Sequence, residues 1–189
     1  MHTTPISLLV RLRSPLEQAA WAKFVELYTP LLFSCARRLG LQNQDAADLV
    51  QDVFTLLVRK LPEFDYRRDK SFRNWLWTVT LNKYRENCRA ARFSPAFNSQ
   101  ASVANLIAGT DIPELLEEAE YRQYLVGRAL QLMQADFQPL TWKACLEFVV
   151  SGKSVQEVAA ELGITVKAVY MAKFRVLRRL RQELEGLLD

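Results

Sequence analysis

Apolar residues recur at intervals of three and four along most of this chain. The runs are broken by proline and glycine, and no stretch alternates apolar with polar. That pattern predicts helices and no strands. Over 15–40, the apolar set Trp21, Phe24, Val25, Tyr28, Leu31, Leu32, Cys35, Ala36 and Leu39 keeps helical spacing. It predicts one helix or two, with Pro30 bending or restarting the helix at Thr29. Gly40 ends that segment, and Asn43 or Asp45 starts the next over 46–61. Its expected buried set is Ala46 or Ala47, Leu49 or Val50, Val53, Phe54, Leu57 and Leu61, and Pro62 stops it. After a loop over 63–70, Ser71 is placed to cap a third helix reaching about Arg92, with Trp75, Leu76, Val79, Leu81 and Tyr84 apolar.

The segment 93–113 changes character. Ser, Asn, Gln, Ala, Gly, Pro95 and Pro113 replace the periodic pattern, so a flexible linker is expected. Helical spacing resumes over 114–134, and again from Pro139 until Gly152. Next come Val155, Val158, Ala159 and Leu162 as one apolar stripe, then Gly163 where a helix must stop with positive φ. Thr165 can cap the following helix, which buries Val166, Val169 and Ala172 and turns Lys167, Tyr170, Met171 and Lys173 outward. A last helix runs to Leu188. Between Lys167 and Arg181 the chain has six Lys or Arg residues and no acid. Two helices joined by a tight turn, the second basic and exposed, suit a DNA major groove. An ordinary helical hairpin is the competing reading.

Charge sharpens this picture. The 189 residues carry a formal net charge of only +4, yet the charge is segregated. Residues 66–92 hold eight basic and two acidic side chains, whereas 111–120 hold five acids and no base. Two basic segments separated by an acidic one suggest two contacts with a polyanion. Cys35, Cys88 and Cys145 are far apart and odd in number, so each is expected to be a buried thiol in a reducing cytoplasm. The single histidine, His2, leaves no Cys/His zinc site and almost no His-based catalysis. No metal, catalytic residue or cofactor is expected. The first residues do not read as a signal peptide, and no apolar run approaches the roughly 20 residues of a membrane span, so no membrane insertion is expected.

Two further constellations carry more than one reading. From Phe64 to Trp77, aromatics mingle with cations, the combination that stacks bases and tracks phosphates in single-stranded nucleic acid. Phe72, Trp75 and Leu76 sit at helical spacing and fit a core better. Tyr66, Arg67, Arg68 and Lys70 have no obvious buried role and fit contact better. Asn82, Lys83, Arg85 and Arg89 lie on or near one face of the third helix. In the second helix, Asp45, Asp48, Gln51 and Asp52 cluster near the start. They suit either stabilisation of the helix dipole or an exposed face for a protein partner, with Leu49, Val53 and Leu56 nearby.

Taken together, the stretches 45–54, 61–65 and 71–76 resemble the second conserved region of bacterial RNA polymerase sigma factors, most of all the small extracytoplasmic-function group. The stretch 154–180 is similar to that group's fourth region. The resemblance implies an all-α chain of two small helical domains on a flexible linker, the C-terminal one a helix-turn-helix. It places a region 2 domain at 1–94, the linker at 95–112 and a region 4 domain at 113–189. It further implies a cytoplasmic promoter-specificity subunit, not an enzyme, with core RNA polymerase and promoter DNA as partners. Asp48, Leu49, Gln51 and Asp52 would dock on the β′ clamp coiled coil, and the β flap would be a second polymerase contact. Tyr66, Arg67, Arg68 and Lys70 would capture an unstacked base of the −10 element. Asn82, Lys83, Arg85 and Arg89 would face its non-template strand. Thr165, Lys167, Ala168, Tyr170, Met171, Lys173, Arg175 and Arg178 would read the −35 element as duplex. The exposed faces of the free factor also suit an anti-sigma factor.

This chain departs from the group's pattern at a few positions. Asp52 stands where Glu is usual. The loop 66–70 is more basic than in many relatives, and Tyr170, Met171 and Phe174 stand where small or polar residues are frequent. A stand-alone helix-turn-helix regulator binding duplex DNA without polymerase is the main alternative. An enzyme acting on nucleic acid would need acids converging from separate elements, whereas Asp45, Asp48 and Asp52 lie along one helix. A helical adaptor with merely solvated basic faces would show no salt-dependent binding.

Overall fold

A computed structural model describes residues 8–14, 16–64, 71–92 and 117–188 of the chain, with the last two residues of the third stretch described by backbone alone. Among these residues there are eight α-helices and no β-strand. They are α1 (Leu8–Arg11), α2 (Gln18–Arg38), α3 (Asn43–Lys60), α4 (Phe72–Arg92), α5 (Glu118–Met133), α6 (Pro139–Val149), α7 (Val155–Leu162) and α8 (Val166–Leu184). The expected all-α class holds. The expected linker segment 93–113 lies outside the described residues.

Pro30 sits inside α2 without ending it. It is exposed, so the hydrogen bond it cannot donate is lost on the solvent side, where water can satisfy the freed carbonyl. The α3 helix starts at Asn43, one of the two expected starts, and the preceding Gln42 makes no side-chain cap. A single 3-10 turn, Leu61–Glu63, follows with Pro62 at its start. Ser71 caps α4 as its position predicts, its Oγ accepting from the Asn74 amide at 3.3 Å. The two helical stretches expected at the C-terminal end form one uninterrupted helix, α8, because nothing after Thr165 breaks the pattern until Gly186.

Compactness divides the chain into two units, Leu8–Tyr124 with the tail from Gly186, and Leu125–Glu185. In the first, α2 packs on α3 and α3 on α4. Phe24, Tyr28, Leu32, Leu49, Val53, Leu57, Phe72, Leu76, Trp77 and Tyr84 are buried there. The aromatic members meet edge to face: Phe24 with Phe54 and with Phe72 at 6.1 Å each, and Phe64 with Phe72 at 5.5 Å. α4 is buried around most of its middle, from Leu76 to Leu81, with Thr78 the exposed exception. Buried Thr80 satisfies its hydroxyl on the Leu76 carbonyl. The Tyr121 hydroxyl donates to the Leu187 carbonyl at 3.1 Å and lies 2.8 Å from that of Tyr28. Its proton is therefore committed, and Tyr28 is the donor in that pair.

In the second unit, α8 packs on α6 and α7, and α6 on α7. One cluster joins Ala144, Val155, Val158, Ala159, Val169 and Ala172, flanked by Phe148, Leu162 and Ile164. Another joins Trp142, Cys145 and Val176, flanked by Leu130, Phe137 and Leu146. Cys35 and Cys145 are buried as expected, while Cys88 is half-buried. Burial pushes the Cys35 thiol up to about 12, against a smaller opposing pull from Arg38.

Candidate nucleic-acid interface

Three local devices fix the angle between α7 and α8. Ser154 caps α7: its Oγ accepts from the Glu157 amide at 3.3 Å, and the Glu157 carboxylate returns to accept from the Ser154 amide at 2.8 Å. Those bonds from Ser154 hold the Glu157 carboxyl below its usual range. Gly163 closes α7 with φ 63° and ψ 32°, the left-handed conformation. A Cβ there would meet nothing within 4 Å, so glycine answers to backbone conformation and not to space. Thr165 then caps α8, its hydroxyl accepting from the Ala168 amide at 3.1 Å. A brace holds the far side. The Lys153 ammonium reaches Glu147 at 3.0 Å and Glu161 at 2.7 Å, linking the end of α6 to α7.

With Val169, Ala172, Val176 and Leu180 buried, the opposite side of α8 faces solvent. It carries Lys167, Met171, Phe174, Arg175 and Arg178, all exposed, and Thr165 is exposed just ahead of it. Ala168 is half-buried. Val166, expected in the core, is 39 % exposed and lies at the surface of the first turn of α8. Phe174 is 58 % exposed and belongs to the surface, not the core. Tyr170 and Lys173 are not simply outward. The Tyr170 ring stands edge to face on Phe148 at 5.7 Å, and the Lys173 ammonium lies 5.0 Å over the same ring. Phe148 of α6 is thus a platform orienting two predicted DNA contacts. Arg179 is committed elsewhere, bonded to Glu183 at 2.7 Å and near Asp136 at 3.8 Å. A surface pocket of about 470 Å³ runs beside this face, lined by Tyr170, Lys173, Phe174, Leu177, Arg178 and Arg181 among others.

The other unit carries the second candidate surface. Asn82, Arg85 and Arg89 follow at spacings of three and four on α4, so they share one face. Asn82 and Arg89 are exposed and Arg85 is half-buried. Lys83 is half-buried, its ammonium 3.3 Å from Glu86 and 3.8 Å from Asp52 on α3. The Asn87 amide donates to that same Asp52 carboxylate at 2.9 Å. Two residues expected to serve different partners, Asp52 and Lys83, therefore lie within ion-pair reach of one another, each with a nearer partner of its own. Along α3, Asp48 and Gln51 are exposed and Asp52 is half-exposed, but Leu49 is only 2 % exposed. Leu49 belongs to the core with Val53 and is no surface contact. A groove of about 450 Å³ between α2 and α3 is lined by Trp21, Val25, Val50, Gln51, Phe54 and Val58 among others. Tyr66, Arg67, Arg68 and Lys70 lie outside the described residues.

Sequence reasoning missed Phe148, Asn87 and Glu86. Phe148 was visible only as one more apolar residue of α6, and Asn87 carries no pattern of its own. Among the described residues, no group of His, Cys, Asp and Glu is placed to hold a metal ion, and no helix is long and apolar enough to cross a membrane.

Comparison with known proteins bears on these surfaces. Residues 24–93 match the sigma-70 region 2 family, a stretch that takes in α3, α4 and the loop between them. The RNA polymerase sigma factor CnrH of Cupriavidus metallidurans is 31 % identical over 176 residues, covering 91 % of this chain and 88 % of that protein. The RNA polymerase sigma factor NccH of Alcaligenes xylosoxydans xylosoxydans is 30 % identical over 173 residues, covering 92 % and 89 %. Likeness of that extent spans both units and both candidate surfaces. The chain belongs to the sigma-70 family of bacterial RNA polymerase sigma factors, in its extracytoplasmic-function group, and is a non-enzymatic sigma subunit whose partners are core RNA polymerase and promoter DNA.

Proposed function

We propose that this sigma subunit directs initiation by four contacts, two with core polymerase and two with promoter DNA. The exposed side of α3, through Asp48, Gln51 and Asp52, docks on the β′ clamp coiled coil, and the apolar groove between α2 and α3 adds contact area. The loop residues Tyr66, Arg67, Arg68 and Lys70 capture an unstacked base of the −10 element, while Asn82, Arg85 and Arg89 follow the non-template strand. Lys83 joins them once it exchanges Asp52 for phosphate. The α8 face from Thr165 to Arg178 reads the −35 element in the major groove, and the same domain meets the β flap.

The observation that carries this reading is the outward side of α8. Lys167, Arg175 and Arg178 are exposed there, on a helix capped by Thr165 that follows α7, itself capped by Ser154. A duplex phosphate wall is the partner that such a rigid cationic helix face fits. The functional boundaries proposed are 1–94, 95–112 and 113–189. A tether between two DNA-reading domains raises the effective concentration of the second once the first has bound. Strand separation costs a few kcal/mol for each unstacked base, which capture at the −10 element would offset.

Run-off transcription from a pool of randomised promoters, with core polymerase and with or without this protein, tests the proposal. Protein-dependent start sites sharing spaced −35 and −10 elements are the expected outcome. Tight duplex binding by the protein alone, with no dependent transcript, would instead establish a stand-alone regulator. R67A and R68A are expected to slow open-complex formation more than initial binding. Equal loss in both would remove the loop from −10 capture.

A further inference from the structure

Lys167, Met171, Phe174 and Arg178 follow one another at spacings of four, three and four. On a helix they form a single stripe, and it lies opposite the buried stripe of Val169, Ala172, Val176 and Leu180. Its two ends are cationic and its middle is apolar. Met171 is 41 % exposed and Phe174 58 % exposed. A helix face meant only for water carries polar residues, and one meant only for phosphates carries cations throughout. Neither use explains a thioether and a phenyl ring at the centre of this stripe.

Among the groups that distinguish base pairs in the major groove, the thymine C5 methyl is the one apolar group large enough to pack against a side chain. The dimensions fit that occupant. Lys167 and Arg178 are eleven residues apart, which spans about 16 Å along the axis. The major groove is roughly 12 Å wide, so both cations can reach its phosphate walls while the middle of the stripe lies over its floor. Met171 and Phe174 are separated by about 4.5 Å of helix rise, close to the roughly 3.4 Å step between neighbouring base pairs. Tyr170 and Lys173 are held aside by Phe148 and leave this stripe clear.

We infer that Met171 and Phe174 read two adjacent A·T pairs of the −35 element by packing on their thymine methyl groups. The inference rests on the sigma reading of α8 and adds the base class that it selects. Arg178 and Lys167 then fix the register through phosphate and carry little sequence preference.

The test uses holoenzyme reconstituted from the full chain and core polymerase, on a promoter obtained from the randomised pool. Each thymine of the −35 element is replaced by deoxyuridine, which removes the methyl group and leaves every hydrogen-bonding atom in place. Binding is expected to weaken about fourfold for each of two adjacent positions, the worth of one buried methyl. M171A is expected to become indifferent to deoxyuridine at one of these positions and F174A at the other. Both side chains are exposed, so folding should survive, and a circular-dichroism melt checks it. Equal binding of thymine and deoxyuridine templates, or selected −35 elements without adjacent A·T pairs, would overturn the inference and leave the sigma reading intact. Loss of core-polymerase affinity in M171A or F174A, with the deoxyuridine response unchanged, would assign the stripe to a protein partner and overturn it equally. Absence of any protein-dependent transcript would remove both readings together.

Discussion

Asn87 of α4 donates its side-chain amide to the Asp52 carboxylate of α3 at 2.9 Å. Lys83, one turn earlier, approaches the same oxygen at 3.8 Å. The two contacts are not of equal weight. The amide bond is short, partly buried and charge-assisted, and bonds of that kind contribute roughly 1.5–3 kcal/mol. The ammonium lies at the limit of an ion pair on a carboxylate that is 44 % exposed, where the return is about 0–1 kcal/mol. Double-mutant cycles in urea denaturation should give a larger coupling for Asp52 with Asn87 than for Asp52 with Lys83. The reverse order would show that the ion pair dominates. A weak pair is what the proposed role of Lys83 at the −10 element requires, since the lysine must be released at small cost.

Replacing Gly163 should isolate backbone strain from crowding. A Cβ at Gly163 has open space around it, but φ is 63°. Gly163→Ala is expected to lower stability by about 1–2 kcal/mol, and Gly163→Asn by less, because asparagine tolerates the left-handed region. Thermal melts of the two variants decide it. Equal stability in Gly163→Ala and the parent protein would mean the turn relaxes to another conformation.

The α6–α8 unit should lose stability at both ends of the pH scale. Hydrogen bonds from Lys153 hold the Glu147 carboxyl down, and those from Ser154 hold Glu157 down. A depressed carboxyl stabilises the fold fully above its unfolded value of 4.5, and that share vanishes as pH falls through the lower folded value. Lys153 is raised by Glu161 and Glu147, so its share is complete below 10.5 and is lost as pH climbs through the higher folded value. Chemical denaturation across the acid range should show a shallower decline in Glu157→Gln than in the parent. An identical decline would place the acid-sensitive groups elsewhere.

Phe148 gives a test of support without contact. Phe148→Leu keeps apolar volume against the α7–α8 core but removes the ring beneath Lys173 and Tyr170. A cation–π pair at a partly exposed site is worth about 0.5–1 kcal/mol. The variant should bind −35 duplex roughly twofold to fivefold more weakly, with an unchanged salt slope because Lys173 keeps its charge. A reduced slope would mean that Lys173 no longer reaches the phosphate.

Much of this molecule was legible from spacing alone. Ser71, Gly163 and Thr165 each act where a helix boundary required that residue type, and Phe72 and Leu76 are buried as their spacing implied. These features depend on residues a few positions apart. What spacing could not supply was the identity of neighbours on other helices. Leu49 and Asp48 are adjacent on α3, and only the position of α3 against its neighbours made one core and the other surface. Phe174 is a phenyl ring, a side chain that more often fills a core, yet its register on α8 puts it opposite Val169 and Val176 and leaves it 58 % exposed. The Asp52, Lys83 and Asn87 cluster joins residues more than thirty positions apart, beyond any local pattern.

That contrast has a kinetic consequence. From Ser154 to Val169 the turn between α7 and α8 is closed by bonds between residues no more than five apart, such as Ile164 to Ala159. The Tyr28–Tyr121 pair must instead close a loop of 93 residues, and Tyr84 to Leu39 one of 45. Short loops close far faster than long ones, and chains rich in local contacts fold soonest. The α7–α8 segment should therefore reach its native shape early in folding, before the aromatic core of the other unit has assembled.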